Sequence, residues 1–192
     1  MADEFLNDPH WVHRVTSFFN LLDFDKKGYI QQADWERWVD NIAKEINPDP
    51  HLIDRLRKTS EDYFGAIGIK KGTRLNCDEY VKAFSEFAVR ERTKKKRGDI
   101  PFLYPWNDSV YDVADTNHDG FVSLEEYRKI FTACGLPESA ADQAFVVVDV
   151  NGDGRIDRDE LNNYEYKFWF TTGLHEAKGM FGDAFEIESS PM

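Results

Sequence analysis

Sulfur is scarce in this 192-residue chain, which has two cysteines and three methionines. Cys77 and Cys134 stand far apart, with no neighbouring thiol at metal-ligand spacing. That excludes a disulfide framework and a thiolate zinc site, and suits a reducing compartment. Met1, Met180 and Met192 are too few and too scattered to build a Met-rich peptide-gripping groove. Long hydrophobic runs are also missing: nothing approaches the roughly 18 apolar residues that span a bilayer. The opening Met1–Phe5 is acidic and lacks the apolar core of a secretory leader, and Ala2 excludes myristoylation. These absences lead us to expect a cytoplasmic monomer without a membrane span.

Positive charge is short, and only in one half. Residues 1–97 carry 18 Lys/Arg against 17 Asp/Glu, whereas residues 98–192 carry 6 against 19. The formal net charge of −12 therefore lies almost wholly in the second half. Such a surface repels phosphate backbones, so nucleic acid is not expected as a partner. It suits a half that gathers cations.

Aromatic residues, by contrast, are plentiful, with 15 Phe, 8 Tyr and 5 Trp. A chain of this size and composition can bury a sizeable core. Asn7-Asp8-Pro9 reads as a helix start, and Trp11, Val12, Val15, Phe18, Phe19 and Leu22 follow at helical spacing. Trp35, Trp38, Val39 and Ile42 continue the pattern on a second helix. Further helices are expected near 50–64, 76–92, 102–114, 124–134, 138–148 and 158–170. Helix–loop–helix thus recurs four times, about 40 residues apart, and the fold class is all-α. The charge run Arg90–Arg97 reads as the link between an N-terminal unit, 1–97, and a C-terminal unit, 98–192. It also offers a docking strip for an acidic partner or an anionic membrane. Met180, Phe181 and Phe185 suggest that the tail packs on the body.

The loops carry the chemistry. A hard divalent cation such as Ca²⁺ wants about seven oxygens. A twelve-residue loop supplies them from positions 1, 3, 5, 7, 9 and 12, with glycine at 6 for a sharp bend. The third loop, Asp115–Glu126, meets every demand with Asp115, Asn117, Asp119, the Phe121 carbonyl, Ser123 and Glu126. The fourth, Asp149–Glu160, does so with Asp149, Asn151, Asp153, the Arg155 carbonyl, Asp157 and Glu160. Two matches with glycine and glutamate at fixed offsets point to paired EF-hands. In the first loop, Asp23–Asp34, the candidates are Asp23, Asp25, the Tyr29 carbonyl and Asp34. Lys27 puts an ammonium where an acceptor belongs, and its flexible stem lets it swing outward. Asp34 is one methylene shorter than Glu, which favours Mg²⁺ there. The second loop, Gly68–Glu79, keeps only Glu79, and no metal is expected. Position 8 is Ile30, Leu75, Val122 or Ile156, an apolar rung that should join the first loop to the second and the third to the fourth. The whole reads as four EF-hands in two pairs within one compact globule.

The loops, their order and the chain length resemble the sarcoplasmic calcium-binding proteins of invertebrates, notably in Leu22–Gly28 ending at Asp34. That resemblance implies a cytosolic Ca²⁺/Mg²⁺ buffer. Asn7–Trp11, Trp106 and Phe168-Trp169-Phe170-Thr171 are also similar to the calcium-triggered photoproteins of hydrozoans. This second resemblance implies a cavity for a luciferin such as coelenterazine. Where that pattern has two histidines and a tyrosine to hold the peroxide, this chain has Val15, Glu165 and Phe181.

Buffering is the leading expectation. The alternatives are a carrier of a hydrophobic small molecule, with Trp11, Trp35, Trp38, Trp106 and Trp169 lining its cavity, and a sensor recruiting a protein target. The low methionine content favours the buffer over the sensor. His10, His13, His51, His118 and His175 have neither metal spacing nor a nucleophile partner, so no catalytic residue is assigned and no enzyme is expected.

Overall fold

Proline and a capping aspartate start two of the helices, as the sequence requires. The computed structural model describes residues 2–173 and Phe181. After a short α1 (Ala2–Leu6), α2 (Pro9–Leu22) begins where Asp8 accepts the His10 and Trp11 amides at 2.9 and 3.3 Å. Asp49 caps α4 in the same way, with Pro50 in the first turn, where its missing N–H costs nothing.

The chain continues through β1 (Tyr29–Ile30), α3 (Gln32–Ile46), α4 (Pro50–Ile67), β2 (Leu75–Asn76) and α5 (Cys77–Arg97). Then come α6 (Leu103–Ala114), β3 (Val122–Ser123), α7 (Leu124–Ala133), α8 (Glu138–Val148), β4 (Arg155–Ile156) and α9 (Arg158–Phe170). These elements form four helix–loop–helix units. The two-residue strands pair antiparallel, β1 with β2 and β3 with β4, with Ile30 opposite Leu75 and Val122 opposite Ile156. The pairing of first with second and third with fourth is the one the position-8 residues demand.

The two pairs share one continuous core. Across the divide α3 lies against α7, α4 against α6 and α5 against α9. Tyr63 stacks on Trp106 with ring centroids 4.4 Å apart, and Trp38 tilts against Trp106 at 5.6 Å. At the opposite end the Trp11 indole N–H donates to the Trp169 carbonyl at 2.9 Å. Beside it, the Gly173 amide donates to Asp8 at 2.6 Å and Arg14 donates to the Thr171 carbonyl at 2.9 Å. The start of α2 is thereby fastened to the end of α9. Phe181 lies about 6 Å from the rings of Phe18, Phe168 and Trp169. Met180, Phe185 and His175 lie outside the described residues.

One expectation fails. Arg90–Arg97 is not a link but the last two turns of α5, and the break comes at Gly98, whose φ of 81° ends the helix. Basic residues at a helix C-terminus face the negative end of its dipole, so their charge favours the helix there. Their stems and heads are also used. The Lys94 ammonium sits 3.4 Å from the Phe102 ring centroid, and that of Lys95 sits 3.7 Å from Tyr166. Arg92 bonds Glu4 at 3.0 Å, and Arg90 bonds the Ala66 carbonyl at 2.6 Å. The strip is folded onto its own molecule.

Candidate metal centres and the apolar cavity

Loops 3 and 4 have the same build. At position 1, Asp115 Oδ2 accepts the Gly120 amide at 3.0 Å, and Asp149 Oδ2 accepts the Gly154 amide at 2.9 Å. These glycines have φ of 86° and 84°, a region that side-chain-bearing residues rarely enter, so the bend at position 6 needs glycine. At position 12, Glu126 reaches back across its loop. Its Oε1 accepts the Thr116 amide at 2.9 Å, and its Oε2 accepts the Ser123 amide and hydroxyl at 2.9 and 2.7 Å. Glu160 does likewise with the Asn151 and Asp157 amides at 3.1 and 2.9 Å. Burial raises the Glu126 carboxyl, but the Ser123 and Thr116 donors outweigh it and hold the group below the ordinary glutamate value.

Positions 9 and 12 do double duty. Ser123 and Glu126 form the capping box that starts α7, and Asp157 and Glu160 the one that starts α9. Loop 2 keeps this box alone, Asn76 with Glu79, at the head of α5. The lone survivor Glu79 is therefore explained by helix initiation.

Every donor in loops 3 and 4 is oxygen, from carboxylate, amide, hydroxyl and main-chain groups, which is the chemistry of a hard cation and fits calcium. Among the described residues, no three His, Cys, Asp or Glu side chains already converge on one point. The carboxylates instead accept loop amides, and Asn117, Ser123 and the main chain must complete the set. The residues present fit the ion. The twelve residues assigned from sequence lie on these two loops, side by side through the β3–β4 ladder.

Sequence reasoning missed the tie between them. The Tyr111 hydroxyl, from α6, donates toward the Gly120 carbonyl at 2.7 Å and the Ile156 carbonyl at 3.0 Å, joining the bend of loop 3 to the strand of loop 4. Arg158 covers the Tyr111 ring at 4.4 Å and pairs with Asp108 and Asp112. Nothing in the spacing of Tyr111 announces this role; only its place one turn before Asp115 hints at it.

Loop 1 departs from its expectation. Lys27 does not swing outward but points inward, 3.0 Å from Asp23, 2.9 Å from Asp25 and 2.8 Å from Asp34. Tyr29, the fourth candidate, places its ring 5.2 Å from the same ammonium. In loop 2, the exposed Thr73 at position 6 ties the bend to itself: its hydroxyl accepts the Lys70 amide at 2.7 Å and faces the Gly68 carbonyl at 3.0 Å.

The EF hand family model matches residues 112–131 and 141–163, which contain loops 3 and 4. Over 181 residues the chain is 26% identical to mitrocomin of Mitrocoma cellularia, covering 93% of this chain and 91% of that one. It is 27% identical to the sarcoplasmic calcium-binding protein of Hediste diversicolor over 136 residues, 68% of this chain and 73% of that one. Calcium-loaded apo-aequorin from Aequorea victoria superposes with a TM-score of 0.79 at 25% identity, covering 87% of this chain and 94% of that one. The chain carries EF hands at loops 3 and 4 and is similar to photoproteins and sarcoplasmic calcium-binding proteins.

The protein also encloses an apolar cavity where the two pairs meet. Phe18 and Leu21 from α2, Trp38 from α3, Trp106 from α6, Phe131 from α7 and Phe181 line much of it, around a volume of about 70 Å³. Of the five tryptophans, Trp38 and Trp106 reach it; Trp11, Trp35 and Trp169 pack in the surrounding core. Among the described residues the wall has one carboxylate, Glu165, with 7% exposure and an Oε2 that lacks a partner at hydrogen-bond geometry. Burial pushes its carboxyl up to about 8, against the pull of nearby Trp169 and Asn107. Among the described residues, no helix is long and apolar enough to cross a membrane.

Proposed function

We propose that this protein is a Ca²⁺/Mg²⁺ buffer that takes up its ions at loops 3 and 4. One observation carries the reading: two adjacent loops each place oxygen-bearing side chains at positions 1, 3, 5, 9 and 12 around a glycine bend, with the first and last held by loop amides. Carboxylates crowded in an empty loop repel one another, and a divalent ion relieves that repulsion, so binding stabilises the fold. Asp157 gives loop 4 one more carboxylate than loop 3 has, so loop 4 binds more tightly and feels Mg²⁺ competition. Calorimetric titration should find two strong calcium sites; finding none tighter than millimolar defeats the reading. A buffer should also bury apolar surface and melt higher with calcium. A rise in dye-reported exposure would make it a target-recruiting sensor instead.

The cavity favours a second reading, a carrier of an apolar aromatic molecule of the coelenterazine kind. The photoprotein relatives support it, as does the position of Trp38 and Trp106 in the wall. At about 70 Å³ the space is far below the roughly 300–1,000 Å³ typical of drug-sized ligand sites, so the walls must part to admit such a molecule. Added coelenterazine should quench tryptophan emission and co-elute with the protein. Absence of binding with and without calcium rules this reading out.

A further inference from the structure

Loop 1 does not present an ion site of the kind seen in loops 3 and 4. The ammonium of Lys27 lies among the carboxylates of Asp23, Asp25 and Asp34, with all three N···O distances between 2.8 and 3.0 Å. A lysine head has three N–H donors and no acceptor, so three carboxylate oxygens saturate it. The surrounding frame matches that of the calcium loops. Asp23 Oδ2 accepts the Gly28 amide at 2.8 Å, and Asp34 Oδ2 accepts the Gln31 amide at 2.8 Å. The Lys27 side chain is only 15% exposed and that of Asp34 only 3%, so solvent screens the Asp23 and Asp34 contacts weakly, while Asp25, at 49%, is the partner open to water. A divalent ion would compete with it for the same three oxygens. To enter, it must expel the ammonium from three partners, and position 5 then offers no side-chain oxygen in return.

We propose that Lys27 is the resident cation of loop 1, a tethered ammonium that replaces a divalent ion and keeps this hand in its ion-filled form at every calcium level. α2 and α3 leave either side of the loop and carry Phe18, Leu21 and Trp38 to the cavity. The N-terminal wall is accordingly set by the chain itself, and calcium acts only on the wall formed by α6, α7 and α9.

The proposal is tested on the full chain, first without any substitution. In a calcium titration starting from chelator and followed by amide resonances, Gly120 and Gly154 should shift strongly while Gly28 stays in place. A Gly28 shift over the same calcium range overturns the idea. Two substitutions then separate the charge of Lys27 from its geometry. Lys27→Met should lower the melting temperature in chelator by about 5 °C, and saturating calcium should not restore the loss. Lys27→Asn removes the same charge but supplies an oxygen at position 5. It should show a similar loss in chelator, cancelled by calcium, and a third ion in calorimetry. An unchanged melting temperature for Lys27→Met in chelator refutes the role given to the ammonium.

Discussion

The two halves solve one geometric problem in opposite ways. In each, a loop must turn sharply and start a helix, and the oxygens this gathers must be satisfied. The N-terminal pair ties its loops with its own side chains, the Lys27 ammonium in one and the Thr73 hydroxyl in the other. The C-terminal pair has neither: position 5 is Asp119 or Asp153, position 6 is glycine, and this half carries nearly all the net negative charge. Both retain the antiparallel rung and the acid at position 12 that accepts the position-9 amide. The scaffold of such a hand is therefore separable from its ion chemistry, and a few side chains decide which loops respond to calcium.

The sharpest way to break this contrast is to change position 12 in both halves. Glu160→Gln should weaken calcium at loop 4 by about 100-fold, because an amide offers one oxygen where a carboxylate offers two. Asp34→Asn should leave calcium stoichiometry and affinity unchanged, since its partner is Lys27. Equal losses in calorimetry would mean that the halves are alike after all.

Next in size is a pH effect at the cavity, on the α9 side. The Glu165 carboxyl titrates near 8 in the folded protein and near 4.5 when unfolded. The folded state thus binds more protons between those values, and stability falls as pH rises through the window from 4.5 to 8. Glu165→Gln should flatten that fall and raise the melting temperature at pH 8.5 by about 5 °C, with little change at pH 4.5. Identical melting profiles for the two proteins would show that Glu165 is already ionised.

Smaller effects sharpen the comparison. Glu79→Ala removes half of the α5 capping box and should cost about 1 kcal/mol in denaturant titrations without altering calcium binding. Tyr111→Phe cuts the hydroxyl tie between loops 3 and 4. It should reduce the mutual enhancement of the two calcium sites about threefold, measured by fitting stepwise constants, while each loop still binds.

Much of this arrangement was legible in the sequence. Asp8-Pro9 and Asp49-Pro50 announce helix starts by local chemistry, and the glycine and glutamate offsets of loops 3 and 4 admit few other readings. The five-residue α1 was missed because Phe5 is its only fully buried residue, too little to set up a periodicity. Arg90–Arg97 was taken for a link because a charge run looks solvated, although a helix C-terminus favours such charge. The inward turn of Lys27 was illegible for a different reason. A lysine stem has four rotatable bonds, and spacing does not say where its head goes; three acids at positions 1, 3 and 12 were the only sign. The cavity depends on how α2, α3, α6 and α7 meet, which no local pattern encodes.

The capping boxes have a consequence for spectroscopy. Because each exiting helix is nucleated by its own side chains, stripping the ions should leave the peptide-region circular dichroism nearly flat. The aromatic-region signal, which reports how Trp38 and Trp106 sit against their neighbours, should change. What calcium alters is then the angle at which finished rods meet.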